Sequence, residues 1–151
     1  MTDVVANAPA TRAPVSPVIR ICLGALAVTQ AVVGFWALLA PAAFYSGFPA
    51  AGHAWVAMLP PYNEHLVRDV GALSLAVTVL LTAAVVTADR RTVVVAVVAY
   101  AVYALPHTVF HGLHLHGFSR FDAVSQMAGF VLQLLVVAGV LWALGRDRVR
   151  S

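Results

Sequence analysis

Ionisable and amide side chains are concentrated near the ends of long apolar segments in this sequence. His107, His111 and His114 are spaced i, i+4 and i+7 in the third such segment, so a helix places them on one stripe. Other ionisable residues open the second and fourth segments: Glu64, His65, Arg68, Asp69 and Asp122. Ionisable groups inside a membrane are costly and rare, so their concentration here marks a candidate functional site.

Neutral imidazoles and carboxylates are competent ligands for zinc, copper or iron. We therefore predict that these residues face the interior between the helices and form a His/carboxylate pocket that opens outward. The pocket would bind a transition metal ion in a protein that is not an enzyme. Haem, which needs one or two axial imidazoles and a flat apolar pocket, is the less favoured cofactor. The candidate metal ligands, or residues that support them, are His107, His111, His114, His65, Glu64, Asp69 and Asp122.

Several alternatives stay open. The histidines could serve only as hydrogen-bond partners, for example for a carbonyl freed by Pro106. The same pocket could belong to a membrane oxidoreductase that uses a metal or a quinone, or to a proton path or pH sensor. The chain could also be an accessory subunit without a ligand, in which Gln30 and Gln133 are interhelical hydrogen-bonding residues. A small transporter would need to oligomerise.

The elements that must position these residues are membrane helices. Of 151 residues, 62% are hydrophobic and 10% charged, and the mean hydropathy is +0.90. Soluble domains are about half apolar and about a quarter charged, so this chain has too few charges to cover a water-facing surface. We predict an all-α integral membrane four-helix bundle, because four apolar runs can each span about 30 Å of hydrocarbon. The predicted spans are about 19–39, 64–88, 92–115 and 121–144.

The segments between and beyond the spans differ in composition. Residues 1–18 contain three prolines and predict a disordered cytoplasmic tail, and residues 145–151 predict a second tail. Residues 42–62 predict a loop with interfacial aromatic side chains, in which 54–59 could form a short interfacial helix. Asn63 is a suitable N-cap for the second span.

The arginines predict the orientation in the membrane. The short turns after the second and third spans require antiparallel neighbours, so four spans run up-down-up-down and leave both termini on one side. All nine basic residues are arginine, and most of them lie on the side of the termini. The positive-inside rule therefore predicts an N-in, C-in, multi-pass protein of the plasma membrane.

The composition also limits the classes of partner. The arginines lie at segment ends rather than on one face, so nucleic-acid binding is not expected. Cys22 is the single cysteine, which excludes an internal disulfide and a CxxC motif. We expect the lipid bilayer as the main partner, with a homo-oligomer or a larger membrane complex as further assemblies.

Two stretches, PPYNEHLVRDVGAL at 60–73 and PHTVFHGLHLHG at 106–117, carry a family resemblance. Over residues 19–144 the chain resembles the small four-helix bacterial membrane proteins grouped as DoxX-like. The resemblance implies a compact four-span bundle in a bacterial plasma membrane, with the family motif on Asn63, Glu64 and Arg68. It also implies a link to respiratory or redox assemblies, which relatives have.

Overall fold

The computed structural model describes residues 14–59 and 61–149, with no side-chain placement for 147–149. This part of the chain is all-helical and contains no strand. Its helices are α1 (Pro17–Leu39), α2 (Pro41–Gly47), α3 (Glu64–Thr87), α4 (Arg90–Leu113) and α5 (Arg120–Val149). The four long helices are long and apolar enough to cross a membrane. The all-α prediction with four apolar helices is confirmed, and these helices indicate a membrane protein.

Local sequence signals set where the long helices begin. The Asn63 side chain accepts a hydrogen bond from the Leu66 amide at 3.3 Å, as expected for its N-cap role. Asp89 caps α4 by accepting from the amide and hydroxyl of Thr92, at 2.9 and 3.1 Å. These hydrogen bonds lower the pKa of the Asp89 carboxyl from its ordinary value, because they stabilise its ionised form.

The segments outside the spans differ from expectation in three places. The 42–62 loop begins with the short helix α2, which Pro41 opens because proline is well suited to the first turn. Residues 54–59 form turns instead of a helix. Helix α5 continues to Val149, so the tail expected from 145 is helical up to that residue. Most of the tail expected over residues 1–18 lies outside the described part of the chain, and α1 already begins at Pro17.

Helices α1 and α3 form the most extensive helix pair in the structure. Gly34 and Gly71 lie where they cross, and a Cβ on Gly71 would stand 2.5 Å from the Leu38 amide nitrogen. Near the start of α3, Arg68 donates to the Leu38 carbonyl, and near the start of α1, Arg20 donates to the Val85 carbonyl at 3.0 Å. The pair is therefore held at both ends and along its crossing.

The buried apolar side chains are concentrated at one end of the bundle, which we call the core end. They come from the starts of α1 and α4 and from the ends of α3 and α5. The largest fully buried apolar residues among them are Leu23, Leu81, Val93, Val97 and Tyr100. At this end Arg90 donates to the Leu144 carbonyl at 3.0 Å. The opposite end, which we call the cavity end, is less completely filled.

Gly71→Ala should destabilise the protein, because the added methyl group meets the backbone of α1 rather than a side chain that could move. We expect a loss of about 1–3 kcal/mol in the free energy of unfolding, typical of overpacking. Thermal or denaturant unfolding in detergent measures it. Gly139→Ala is the matched control: its Cβ meets nothing within 4 Å, so helix propensity alone should stabilise it by about 0.5–1 kcal/mol. Equal effects of the two substitutions would contradict the close crossing.

Candidate functional site

A cavity of about 420 Å³ lies at the cavity end. Residues of all five helices and of the segment between α2 and α3 line it. Its size is within the range of small-molecule sites, about 300–1,000 Å³. Its walls are mainly apolar, and none of its lining residues is Asp, Glu, Lys or Arg.

Aromatic rings from α2 and the segment that follows it form one wall of the cavity. Phe44 and Phe48 have ring centroids 4.8 Å apart, and Phe48 meets Trp55 edge-on at 6.2 Å. Trp36 supports them from α1, with its ring 5.8 Å from that of Phe44. These contacts pack the aromatic wall against α1, so an apolar ligand would meet aromatic rings there.

The opposite wall carries a row of hydrogen-bonding side chains on α4. Tyr103 stacks on His107 at 5.4 Å, and His107 lies 4.5 Å from His111, both measured between ring centroids. Phe130 packs against both imidazoles, at 5.0 and 4.9 Å. Deeper in the bundle, Tyr100 donates to the side chain of Gln133. The cavity therefore combines apolar walls with one polar row.

His111 and Gln126 form a buried pair at the end of this row. Nδ1 of His111 lies 2.8 Å from Oε1 of Gln126, and Gln126 is 1% exposed. The Gln126 amide nitrogen has no partner in the described part of the chain. Leaving such a donor unsatisfied costs about 1–3 kcal/mol. Both residues belong to the cavity lining, but the amide nitrogen itself is enclosed, so a group placed there would pair with it only once the Gln126 side chain turns toward the cavity.

The amide–imidazole pair can leave either a donor or an acceptor unpaired. If Nδ1 of His111 carries the proton, the Gln126 amide nitrogen is left as a free donor. If the other ring nitrogen carries it, the amide turns over, donates to Nδ1 and leaves its oxygen as a free acceptor. One amide atom is unpaired in both arrangements. Gln30 adds a second such atom, since its Oε1 is buried without a partner and the residue lines the cavity.

The three histidines predicted on one stripe are not together in the structure. His107 and His111 line the cavity, whereas His114 is exposed. Helix α4 ends at Leu113, so His114 no longer follows the helical stripe. Its Nδ1 lies 2.7 Å from the Phe110 carbonyl, and its ring stacks on Phe110 at 4.0 Å.

The charged residues at the start of α3 lie on its exposed surface rather than in the bundle interior. Arg68 donates to Glu64 at 2.9 Å, and His65 lies 3.4 Å from Asp69 with 81% and 53% of the two side chains exposed. The expectation that these residues face the interior is wrong. The reason is geometric: a helix that turns Gly71 toward α1 turns His65 and Asp69 away from it.

Asp122 lies at the edge of the cavity end, in contact with the segment that precedes α3. Its Oδ1 accepts from Trp55 at 2.8 Å and lies 2.6 Å from Nδ1 of His53, and its Oδ2 accepts from Ser119 at 2.6 Å. The predicted ligands thus occupy four separate places: the cavity, the end of α4, the surface of α3, and the edge at Asp122. Within residues 14–59 and 61–149, no three His, Cys, Asp or Glu side chains form a group that could hold a metal ion. Their role as metal ligands stays a prediction.

Several cavity residues were not predicted from the sequence as part of a site. Phe48 and Trp55 were interpreted as interfacial aromatics. His53, which lies beside the cavity on Asp122, was expected to be a solvent-facing loop residue. These residues lie in a segment without hydrophobic periodicity, so no sequence pattern predicts which way their side chains point. Gln126 carried a usable signal, since an amide within a predicted apolar span needs a partner.

Comparison with models of known families, with curated proteins and with solved structures gives no match to this chain. The DoxX-like resemblance therefore stays a prediction. The function must be argued from the cavity itself, whose polar row and apolar walls are the features that point to a ligand.

Proposed function

We propose that this chain is a small multi-pass membrane protein that binds one neutral, mainly apolar molecule in the bundle cavity. The observation that supports this most is the unpaired amide nitrogen of Gln126 beside an apolar space. A ligand with one oxygen-containing end would satisfy the amide, while its apolar body would contact the aromatic wall. Apolar pockets with a few convergent polar groups are the usual form of small-molecule sites.

The lining residues support a ligand without net charge. A buried charge requires a counter-charge or a metal, and the cavity lining offers neither a carboxylate nor an arginine. Leu66 and Val70 line the cavity and are also 59% and 43% exposed, so its α3 wall is continuous with the apolar outer surface. The ligand would therefore enter from the lipid phase.

A quinone meets these requirements, and the redox alternative predicted from the sequence would use the same contacts. Its carbonyl would accept from the Gln126 amide, and its reduced hydroxyl would donate to the same amide after the pair turns over. If the chain is instead an accessory subunit without a ligand, the cavity should hold only lipid chains, with no preference for one molecule. A ligand that copurifies at a fixed ratio separates these two cases.

The orientation forms part of the proposal. We place both termini in the cytoplasm of a bacterial plasma membrane and the four long helices in an up-down-up-down arrangement. The cavity end then faces outward. The uneven distribution of arginines supports this placement, since most of them lie on the side of the termini.

A transition metal ion is the second candidate ligand, and the closeness of His107 and His111 favours it. Their rings are 4.5 Å apart and belong to consecutive turns of α4, which suits chelation of one ion. The remaining positions would be filled by water or by an amide oxygen. The zinc, copper, iron and haem hypotheses all depend on these two imidazoles.

Protein purified in mild detergent should retain a small lipophilic molecule, and Gln126→Leu should lower its affinity about tenfold or more. The reason is loss of a buried hydrogen bond, since tenfold corresponds to about 1.4 kcal/mol. Mass spectrometry of the extract identifies the molecule, and adding it back at one fixed concentration should raise the melting temperature of the wild-type protein more than that of Gln126→Leu.

Ser74→Ala is the matched control for this experiment. Ser74 is 1% exposed and its hydroxyl is also without a partner in the described residues, but it does not line the cavity. It should retain the molecule fully. If Gln126→Leu and Ser74→Ala bind equally well, the cavity is not the binding site.

Metal content separates the two candidate ligands. A metal site at His107 and His111 predicts about one ion per chain, lost in His107→Ala and kept in His65→Ala, which removes an exposed imidazole instead. Elemental analysis with an absorption spectrum measures ion and haem together. No ion and no haem band in well-folded protein would eliminate the metal candidate and leave the organic ligand.

The orientation predicts which positions a membrane-impermeant thiol reagent reaches in intact cells. In a Cys22→Ala background, a cysteine replacing exposed Ala51 should react, and one replacing Ser151 should react only after lysis. The opposite pattern would reverse the assigned orientation, without affecting the ligand proposal.

A further inference from the structure

One segment between α2 and α3 lines the cavity and also contacts α5. Residues 48–59 link the α1–α3 side of the bundle to the start of α5, and Phe48, Trp55 and Leu59 line the cavity. We propose that this segment is a lid that separates the cavity from water, and that Asp122 is the latch that holds it closed. The inference rests on the proposed ligand site and adds the control of access to it.

Within the lid, the chain between Phe48 and Trp55 folds back on itself. The Trp55 amide donates to the Phe48 carbonyl at 2.6 Å, and the His53 amide donates to the Ala50 carbonyl at 3.1 Å. Gly52 and Ala54 have positive φ angles of 89° and 37°, which allow the chain to turn sharply between these bonds. Loops closed in this way pack on their own side chains and can move as one body.

Asp122 holds the lid through hydrogen bonds with two side chains of the lid. Oδ1 of Asp122 accepts from Trp55 at 2.8 Å and lies 2.6 Å from Nδ1 of His53. Among the described residues, no other side chain outside the lid forms a hydrogen bond with a lid side chain. The remaining contacts involve rings and methyl groups. Phe48 packs against Phe44 and Trp36 with ring centroids 4.8 and 6.0 Å apart. His53 packs near Phe121 at 5.7 Å, and a Cβ on Gly117 would stand 3.3 Å from the Met58 methyl group.

The latch is strong enough to hold the lid but remains open to competition by water. The Asp122 side chain is 14% exposed, and that of His53 is 38% exposed. Asp122 is also fixed independently of the lid by Ser119, whose hydroxyl donates to Oδ2. The latch residue thus stays in place whether the lid is closed or open, which a reversible closure requires.

The test measures how fast water-borne reagents reach the cavity. Gly129 lines the cavity, and a Cβ there meets nothing within 4 Å, so Gly129→Cys in a Cys22→Ala background provides a reporter. A charged, membrane-impermeant maleimide is supplied both outside the proteoliposomes and in their lumen. Reaction should be slow with the latch intact and about tenfold or more faster in Asp122→Ala, since two partly buried hydrogen bonds to a carboxylate are lost.

A second variant controls for a change in labelling rate that arises from perturbation of α5 by Asp122→Ala. His53→Ala combined with Trp55→Phe removes the same two bonds from the lid side and leaves the Ser119–Asp122 contact intact. It should accelerate labelling to a similar degree. His65→Ala, which removes a His–Asp contact on the outer surface of α3, is the control and should leave the rate unchanged.

The outcomes distinguish the lid from the ligand site. Faster labelling in both latch variants supports the lid. Unchanged labelling in the double variant, with the melting temperature preserved, overturns it, even if Gln126→Leu still loses the ligand. Because the reporter reacts in empty protein, failure of the ligand proposal would not by itself change this result.

Discussion

The close crossing of α1 and α3 at Gly34 and Gly71 is the constraint on which the rest of the structure depends. Backbone meets backbone there, and Arg68 adds a hydrogen bond to the end of α1. Helix α3 is also joined to α4 through the short connection at Ala88 and Asp89, at the opposite end. Helix α3 is thus held beside α1 at both ends, and at the cavity end the space between these two helices and the pair α4 and α5 stays open.

The two ends of the bundle therefore have different roles. The core end buries Leu23, Leu81 and Tyr100 and supplies the apolar packing that stabilises the fold. The cavity end lacks that packing and instead contains a space lined by aromatic rings and by the His111–Gln126 pair. An unpaired buried amide costs stability in a protein without ligand, and a bound ligand would recover that cost. The same feature thus links the energetics of the fold with the proposed function.

The sequence predicted what depends on helical periodicity and apolar length, and it failed where the chain leaves a helix. The four apolar helices and the Asn63 cap follow from local patterns. His114 was placed on the wrong surface because nothing local shows that α4 ends one residue before it. His65 and Asp69 were placed inside because helical spacing gives their common face but not its direction, which the Gly71 contact sets. Trp55 and His53 meet Asp122 across more than sixty residues, and no local pattern encodes that contact.

A density map of the protein extracted together with its native lipids tests the central claim most directly. The account predicts well-defined density in the cavity, with an oxygen or nitrogen atom within about 3 Å of the Gln126 amide, the distance of an ordinary hydrogen bond. A cavity that has collapsed, or one in which the Gln126 amide is fully paired with protein atoms and the space is empty, would contradict it.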